Sequence, residues 1–151
     1  MKDTIVIDLD GTLANIDHRL HLVQGKKKDF DKFYKLVGGD TPNDWCRRMM
    51  NVFWQTGYEV AIVSARRESC RADTIRWLND HHINSSALYL VRPDGDSTPD
   101  QELKMAWLKE YGAENILFVV DDRQKVVDSW RAAGVTCLQA YAWEESKGKT
   151  A

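Results

Sequence analysis

Five short apolar runs punctuate the chain: TIVID at 4–8, YEVAIVS at 58–64, ALYLV at 87–91, NILFVVDD at 115–122 and VTCLQAY at 135–141. Four of them are too unbroken for strands with one wet face and fit a parallel sheet covered on both sides. Between them the apolar period lengthens to that of a helix. NDWCRRMMNVFWQTG puts Trp45, Met49, Val52 and Phe53 on one side and stops at Gly57. CRADTIRWLNDHH repeats Ile75 and Leu78, PDQELKMAWLKEYG repeats Leu103, Trp107 and Tyr111, and RQKVVDSWRAAG repeats Val126 and Trp130. Strands alternating with helices predict right-handed βαβ units. The expected fold is α/β, a doubly wound, Rossmann-like parallel sheet with helices on both faces.

One segment breaks the rhythm. Residues of about 15–42 read as a small, mostly helical insertion after the first strand, with FDKFYKLV its expected helix. The remainder of the 151 residues fits one domain. A net charge of −2 argues against a protein that coats duplex nucleic acid or an anionic membrane, yet leaves room for a pocket that grips one terminal phosphate. Cys46, Cys70 and Cys137 lack metal-type spacing, and Cys46 and Cys137 read as small core residues in a reducing compartment. No signal peptide or spanning run is expected, which predicts a cytoplasmic location, while monomer and homodimer stay open. The tail EESKGKTA contains GKT, but a phosphate loop needs a glycine where Trp143 stands; the tail is read as a frayed polar end.

Open α/β sheets bind ligands beyond the carboxyl ends of their strands. The first strand delivers Asp8 and Asp10 there, the second Ser64, Ala65 and Arg66, and the fourth Asp121 and Asp122. The third runs into RPDGDSTPD and a helix carrying Lys104. A phosphate monoester repels an attacking carboxylate, so this set calls for a divalent cation, and oxygen donors select Mg²⁺. Asp8, the Asp10 carbonyl and a carboxylate from Asp121–Asp122 would hold it. Asp8 would attack phosphorus, and Asp10, expected on the other side of the strand, would protonate the leaving hydroxyl. Thr12, Ser64 and Lys104 would hold the phosphoryl oxygens.

At this point the chain resembles the haloacid dehalogenase (HAD) superfamily of phosphotransferases, whose four motifs are matched in order by DLDGT, Ser64, Lys104 and VVDD. It resembles in particular the 3′-phosphatase domain of bacteriophage polynucleotide kinase/phosphatase. Arg19 stands eleven positions after Asp8, SAR replaces the family's S-G-R with Ala65 in place of glycine, and RPDGDSTPDQELK supplies Arg92, Gly95, Asp96, Asp100 and Lys104. DDRQKVVDSWRAAGVTC continues the last motif. The resemblance implies that Arg19, Arg66, Asp100 and Lys104 serve the phosphatase site, with Asp100 orienting Lys104 one helical turn away. It implies 3′-phosphorylated DNA or RNA ends as substrates, and, with no P-loop kinase half ahead of it, separate kinase or ligase proteins as partners. Small-molecule HAD phosphatases, such as a 5′-nucleotidase, and a catalytically idle module are the alternatives.

Several residues carry plainer readings. Arg92 divides evenly between pairing with Asp94 or Asp96 in its turn and serving the site. Arg67 and Arg71 read equally as solvated charges, Lys26 to Lys28 as a solvated loop, and the tryptophans as core on helix faces. His18, His21, His81 and His82 form no metal-ligand arrangement.

Overall fold

Strand alternation decides which side chains meet which layer of the molecule. The computed structural model describes residues 2–141, so the GKT tail lies outside the described residues. In chain order the strands are β1 (Thr4–Ile7), β2 (Ala14–Asn15), β3 (Thr41–Pro42), β4 (Glu59–Arg67), β5 (Leu88–Arg92), β6 (Ile116–Asp121) and β7 (Cys137–Gln139). The helices are α1 (Asp17–Leu20), α2 (Phe30–Lys35), α3 (Asp44–Gln55), α4 (Arg71–Asp80), α5 (Asp100–Tyr111) and α6 (Gln124–Ala132). Five strands form one parallel sheet in the order β5-β4-β1-β6-β7, so β1 is central and every expected strand lies in it.

The two faces are packed by alternate residues. Ile5, Ile7 and Ile62 meet Met50, Trp77 and Leu78 from α3 and α4. Val6, Ala61 and Val63 meet Leu108 of α5 and Val126, Val127 and Trp130 of α6. This is the doubly wound arrangement. The α3 stripe differs in phase from its expected one: Cys46 and Met50 are buried, with Met49 and Phe53 packed beside them, while Trp45 and Val52 are exposed, as is Trp54. Large aromatics at four-residue spacing do not by themselves say which side meets the sheet. Here smaller residues take the inner side, and the reading of the tryptophans as core holds for Trp77 and Trp130 only in full. All three described cysteines are buried and free. Among the described residues no helix is long and apolar enough to cross a membrane.

The insertion contains α1, α2 and two short 3₁₀ turns, and its base is closed by a two-residue antiparallel ribbon of β2 and β3 that the sequence pattern did not reveal. Asp29 caps α2 by accepting the Lys32 amide at 3.0 Å. What fixes the insertion to the sheet is Asp40. Its carboxylate accepts from Arg19 Nε at 2.7 Å and Nη2 at 2.8 Å inside the insertion, and from Arg66 Nη2 at 2.9 Å on β4. Its carbonyl accepts Trp77 Nε1 of α4 at 2.7 Å. The Phe33 ring lies under the Arg19 guanidinium at 4.2 Å. A second tie, Arg67 to Asp31 at 2.6 Å, is exposed.

A buried pair that loses one partner leaves an uncompensated charge, whereas an exposed pair contributes little. Asp40→Ala is therefore expected to lower unfolding stability by about 3–5 kcal/mol, and Asp31→Ala to leave the urea midpoint nearly unchanged. Equal midpoints for the two variants would show that the buried network does not fix the insertion.

Candidate active site

β1 ends at Ile7, and Asp8 is the next residue, its amide still bonded to the Val120 carbonyl at 2.9 Å. Alternation after Val6 turns Asp8 toward the α5 face, where Lys104 waits. Lys104 Nζ donates to Asp8 Oδ1 at 2.7 Å and to Asp121 Oδ2 at 2.8 Å. The Thr12 hydroxyl donates to Asp8 Oδ2 at 3.1 Å, with Asp122 Oδ1 at 3.4 Å. Asp121 is further held by Trp130 Nε1 at 3.2 Å and by the Asp122 amide at 2.9 Å. Asp8, Asp121 and Asp122 are all buried and offer carboxylate oxygens within 4.8 Å of one another.

Three carboxylates face one ammonium here. Burial, and then the charge of Asp121, push the Asp8 carboxyl well above its ordinary range. The same two causes push Asp122 up to about 6. Burial works against the Lys104 ammonium, but Asp121 and Asp8 outweigh it and hold its pKa above that of a free lysine. Gly11 makes the turn that follows: its φ is +84°, and a Cβ there would overlap Asp122 Oδ2. Only glycine both adopts this backbone and leaves room for the acid.

Asp10 lies apart from this cluster, but not because of strand alternation. Residues two apart on a strand share a face, and the separation arises because the strand has already ended at Ile7 and the chain turns at Leu9 before it reaches Asp10. Asp10 Oδ1 accepts from Arg66 Nη2 at 2.6 Å, Arg66 Nε at 3.0 Å and Arg19 Nη2 at 2.8 Å. Burial acts to raise its pKa, but Arg66 and then Arg19 outweigh that and hold it below the usual carboxylate range. Arg19 and Arg66 are themselves buried, joined through Asp10 and Asp40, so in this structure both guanidinium groups hold protein carboxylates.

Arg92 is a structural tie. It donates to the carbonyls of Ala65, Asp96 and Thr98 at 2.9, 2.9 and 2.8 Å, and so moors the 93–99 loop to the end of β4. Asp100 does not orient Lys104. It bridges Arg92 and Arg123 at 2.5 and 2.6 Å, since it starts α5 and faces the loop rather than the sheet. Buried Ser64 accepts the Arg66 amide at 3.2 Å. Asp40, Gly11, Arg123 and Trp130 are contacts that sequence reasoning missed. Asp40 has no motif around it, and only its place next to the ribbon gives it meaning. His18 Nε2 lies 2.7 Å from Asp40 Oδ1 and belongs to that network.

A cleft of about 460 Å³ opens over these groups. Asp8, Asp10, Ser64, Lys104, Asp121 and Asp122 line its inner end. Phe30, Phe33 and Tyr34 of α2 form one wall, the loop from Asp96 to Pro99 forms another, and Lys28, Arg123 and Lys125 add positive charge. Of the Lys26–Lys28 run, only Lys28 lines the cleft.

The comparisons with known proteins agree with this geometry. A chain of the Pnkp1/Rnl/Hen1 RNA repair complex is 27% identical with a TM-score of 0.74; the match covers 90% of the present chain and 41% of that one. The present chain thus spans well under half the length of that relative. A HAD family hydrolase from Deinococcus radiodurans R1, solved with bound phosphate and sodium, shares the fold with a TM-score of 0.60 at 16% identity, covering 89% and 79% of the two chains. The sequence pattern of the family described as "Polynucleotide kinase PNKP phosphatase domain" matches residues 2–142, nearly the whole of the sequence. The chain is a HAD-type phosphatase and belongs to the family of polynucleotide kinase PNKP phosphatase domains.

Proposed function

We propose that this chain is a Mg²⁺-dependent phosphomonoesterase that removes the 3′-phosphate from DNA or RNA ends through an aspartyl-phosphate on Asp8. The observation that carries the reading is Asp8 itself, a buried carboxylate held by Lys104 and Thr12 at the inner end of an open cleft. Family membership supports the reaction class. The likeness to a chain of an RNA repair complex supports nucleic-acid ends as substrates, and separate kinase or ligase proteins as partners that supply or consume them.

The donor set fits a small divalent cation. Asp8, Asp121 and Asp122 are hard oxygen donors, close together, and carry two formal negative charges beyond what Lys104 neutralises. These three, with the Asp10 carbonyl, are the proposed ligands. Bound there, Mg²⁺ supplies the positive charge that lets a carboxylate approach a phosphate dianion.

The chain's own groups do the rest. An Asp8 oxygen attacks phosphorus as the bond to the 3′-oxygen breaks, and Asp10 passes a proton to that oxygen. Asp10 then takes a proton from the water that cleaves the acyl phosphate, which restores both acids. An arriving phosphate dianion competes for Arg19 and Arg66, and so loosens the pairing that keeps Asp10 ionised; Asp10 then takes from solvent the proton that it passes to the leaving oxygen. Lys104, Ser64 and Thr12 hold the phosphoryl oxygens as charge moves.

Initial rates on 3′-phosphorylated DNA and RNA oligonucleotides, set beside 3′- and 5′-mononucleotides, test the reading. The oligonucleotides are expected to give the higher kcat/KM, with activity lost in EDTA and restored by Mg²⁺. A preference for 5′-mononucleotides would replace the reading with a 5′-nucleotidase. Asp8→Asn is expected to abolish turnover while the circular dichroism spectrum is unchanged, since it removes the nucleophile at nearly constant volume. Gly11→Ala is expected to lower kcat by about 10²-fold, because its Cβ displaces Asp122. Wild-type kcat in Gly11→Ala would remove Asp122 from the mechanism.

A further inference from the structure

Tyr34 stands out because nothing in the reaction just described uses it. It lies on α2, inside the insertion, and its ring lines the same cleft as Asp8 and Asp10. The ring is fixed on several sides. The Arg67 guanidinium sits 5.0 Å from its centroid, Phe33 meets it edge-on at 5.3 Å, and Phe30 lies nearly parallel to it at 6.4 Å. Yet no described residue makes a hydrogen bond to its hydroxyl, and no buried side-chain polar atom among the described residues lacks a partner. The hydroxyl is therefore open to solvent, on a side chain that lines the cleft.

The charges that act on the phenol belong to residues that line the same cleft. Burial, then Asp10, then Asp100, push the Tyr34 phenol up to about 12, while Arg92 and Arg67 act the other way. The phenol remains a neutral donor at ordinary pH, within reach of the fields of Asp10 on β1's side and of Asp100 across the cleft. The inner end already supplies donors for the transferring phosphoryl group, Lys104 and Ser64 among them. Asp10 must reach the leaving oxygen, so the substrate atoms on Asp10's outer side belong to the leaving nucleotide. Beyond Tyr34, Phe30 presents an exposed aromatic face at the rim of the cleft, with Lys28 beside it in the lining. A rigid aromatic face with a polar tip suits a nucleoside, whose base stacks and whose sugar accepts hydrogen bonds.

We propose that α2 is the leaving-group wall of this enzyme: Tyr34 donates a hydrogen bond to an oxygen of the terminal nucleotide, and Phe30 stacks on its base. This rests on the 3′-phosphatase reading above. It makes the terminal nucleoside, rather than the phosphate alone, a determinant of substrate choice. Because α2 is held by Arg19, which donates to the Phe33 carbonyl at 3.3 Å and is itself tied to the sheet through Asp40 and Arg66, the wall is present before substrate arrives.

The test uses the full chain as wild type, Tyr34→Phe and Phe30→Ala. Three substrates are compared: a 3′-phosphorylated oligonucleotide, the same oligonucleotide with an abasic terminal nucleotide, and p-nitrophenyl phosphate, which has no nucleoside. For the intact oligonucleotide, Tyr34→Phe is expected to lower kcat/KM roughly 3- to 10-fold through one lost hydrogen bond. Phe30→Ala is expected to lower it roughly tenfold, mainly through KM. Both variants should lower the ratio of oligonucleotide to p-nitrophenyl phosphate kcat/KM. The wild type should lose about as much on the abasic end as Phe30→Ala loses on the intact one, and Phe30→Ala should no longer distinguish the two ends. An unchanged ratio, or a Phe30→Ala enzyme that still prefers the intact end, overturns the proposal while leaving the 3′-phosphatase reading in place. A wild type that turns over p-nitrophenyl phosphate but none of the 3′-phosphorylated oligonucleotide overturns that reading, and this proposal with it.

Discussion

Three buried carboxylates share one lysine at the tips of β1 and β6, and the rest of the site is arranged around that imbalance. Burial makes each uncompensated charge costly. The protein meets part of the cost internally: Lys104 lies between Asp8 and Asp121, and Trp130 Nε1 and the Asp122 amide complete Asp121. What remains is an excess of negative oxygen beside the cleft. Burial and that excess together raise the proton affinity of Asp8 and Asp122. In the proposed reaction a divalent cation answers the excess, and thereby leaves Asp8 free to attack.

A second charged group lies a few residues away and has the opposite character. Arg19 and Arg66 against Asp10 and Asp40 are balanced in formal charge. That balance lets the network stay buried and tie the insertion to the sheet. The two groups thus divide the work: the unbalanced one attracts a cation and a substrate, and the balanced one fixes the acid–base residue and the wall of the cleft. The division starts at a single turn. Asp8 keeps the alternation of β1 and faces α5, whereas the chain leaves the strand and turns at Leu9, so that Asp10 faces the arginines.

The sheet was legible in the sequence because a strand buried on both faces leaves an unbroken apolar run that few other elements produce. Asp8, Ser64, Asp121 and Asp122 were legible because they fall at the carboxyl ends of those runs, and Lys104 through its place in the motif spacing on the helix after the third; the structure brings all five to one cleft. Side-chain partners were not. Asp100 lies one turn from Lys104 yet pairs with two arginines, since a helix's first residue faces the preceding loop. Arg19 and Arg66 were read as serving the site, and the structure adds that they hold Asp10 and Asp40, a pairing that no local pattern around Asp40 announces. The phase of α3 was misread for a related reason: Trp45 and Val52 share a helical face, but whether that face meets the sheet is decided by residues elsewhere in the chain.

The most direct test of this account is thermal unfolding with and without Mg²⁺, on the wild type and on Asp122→Asn. A cation that binds the folded state alone raises the melting temperature by mass action. The account predicts a rise for the wild type that grows with Mg²⁺ concentration, and a much smaller one once a carboxylate of the excess has been removed. A wild-type melting temperature indifferent to millimolar Mg²⁺ would contradict it.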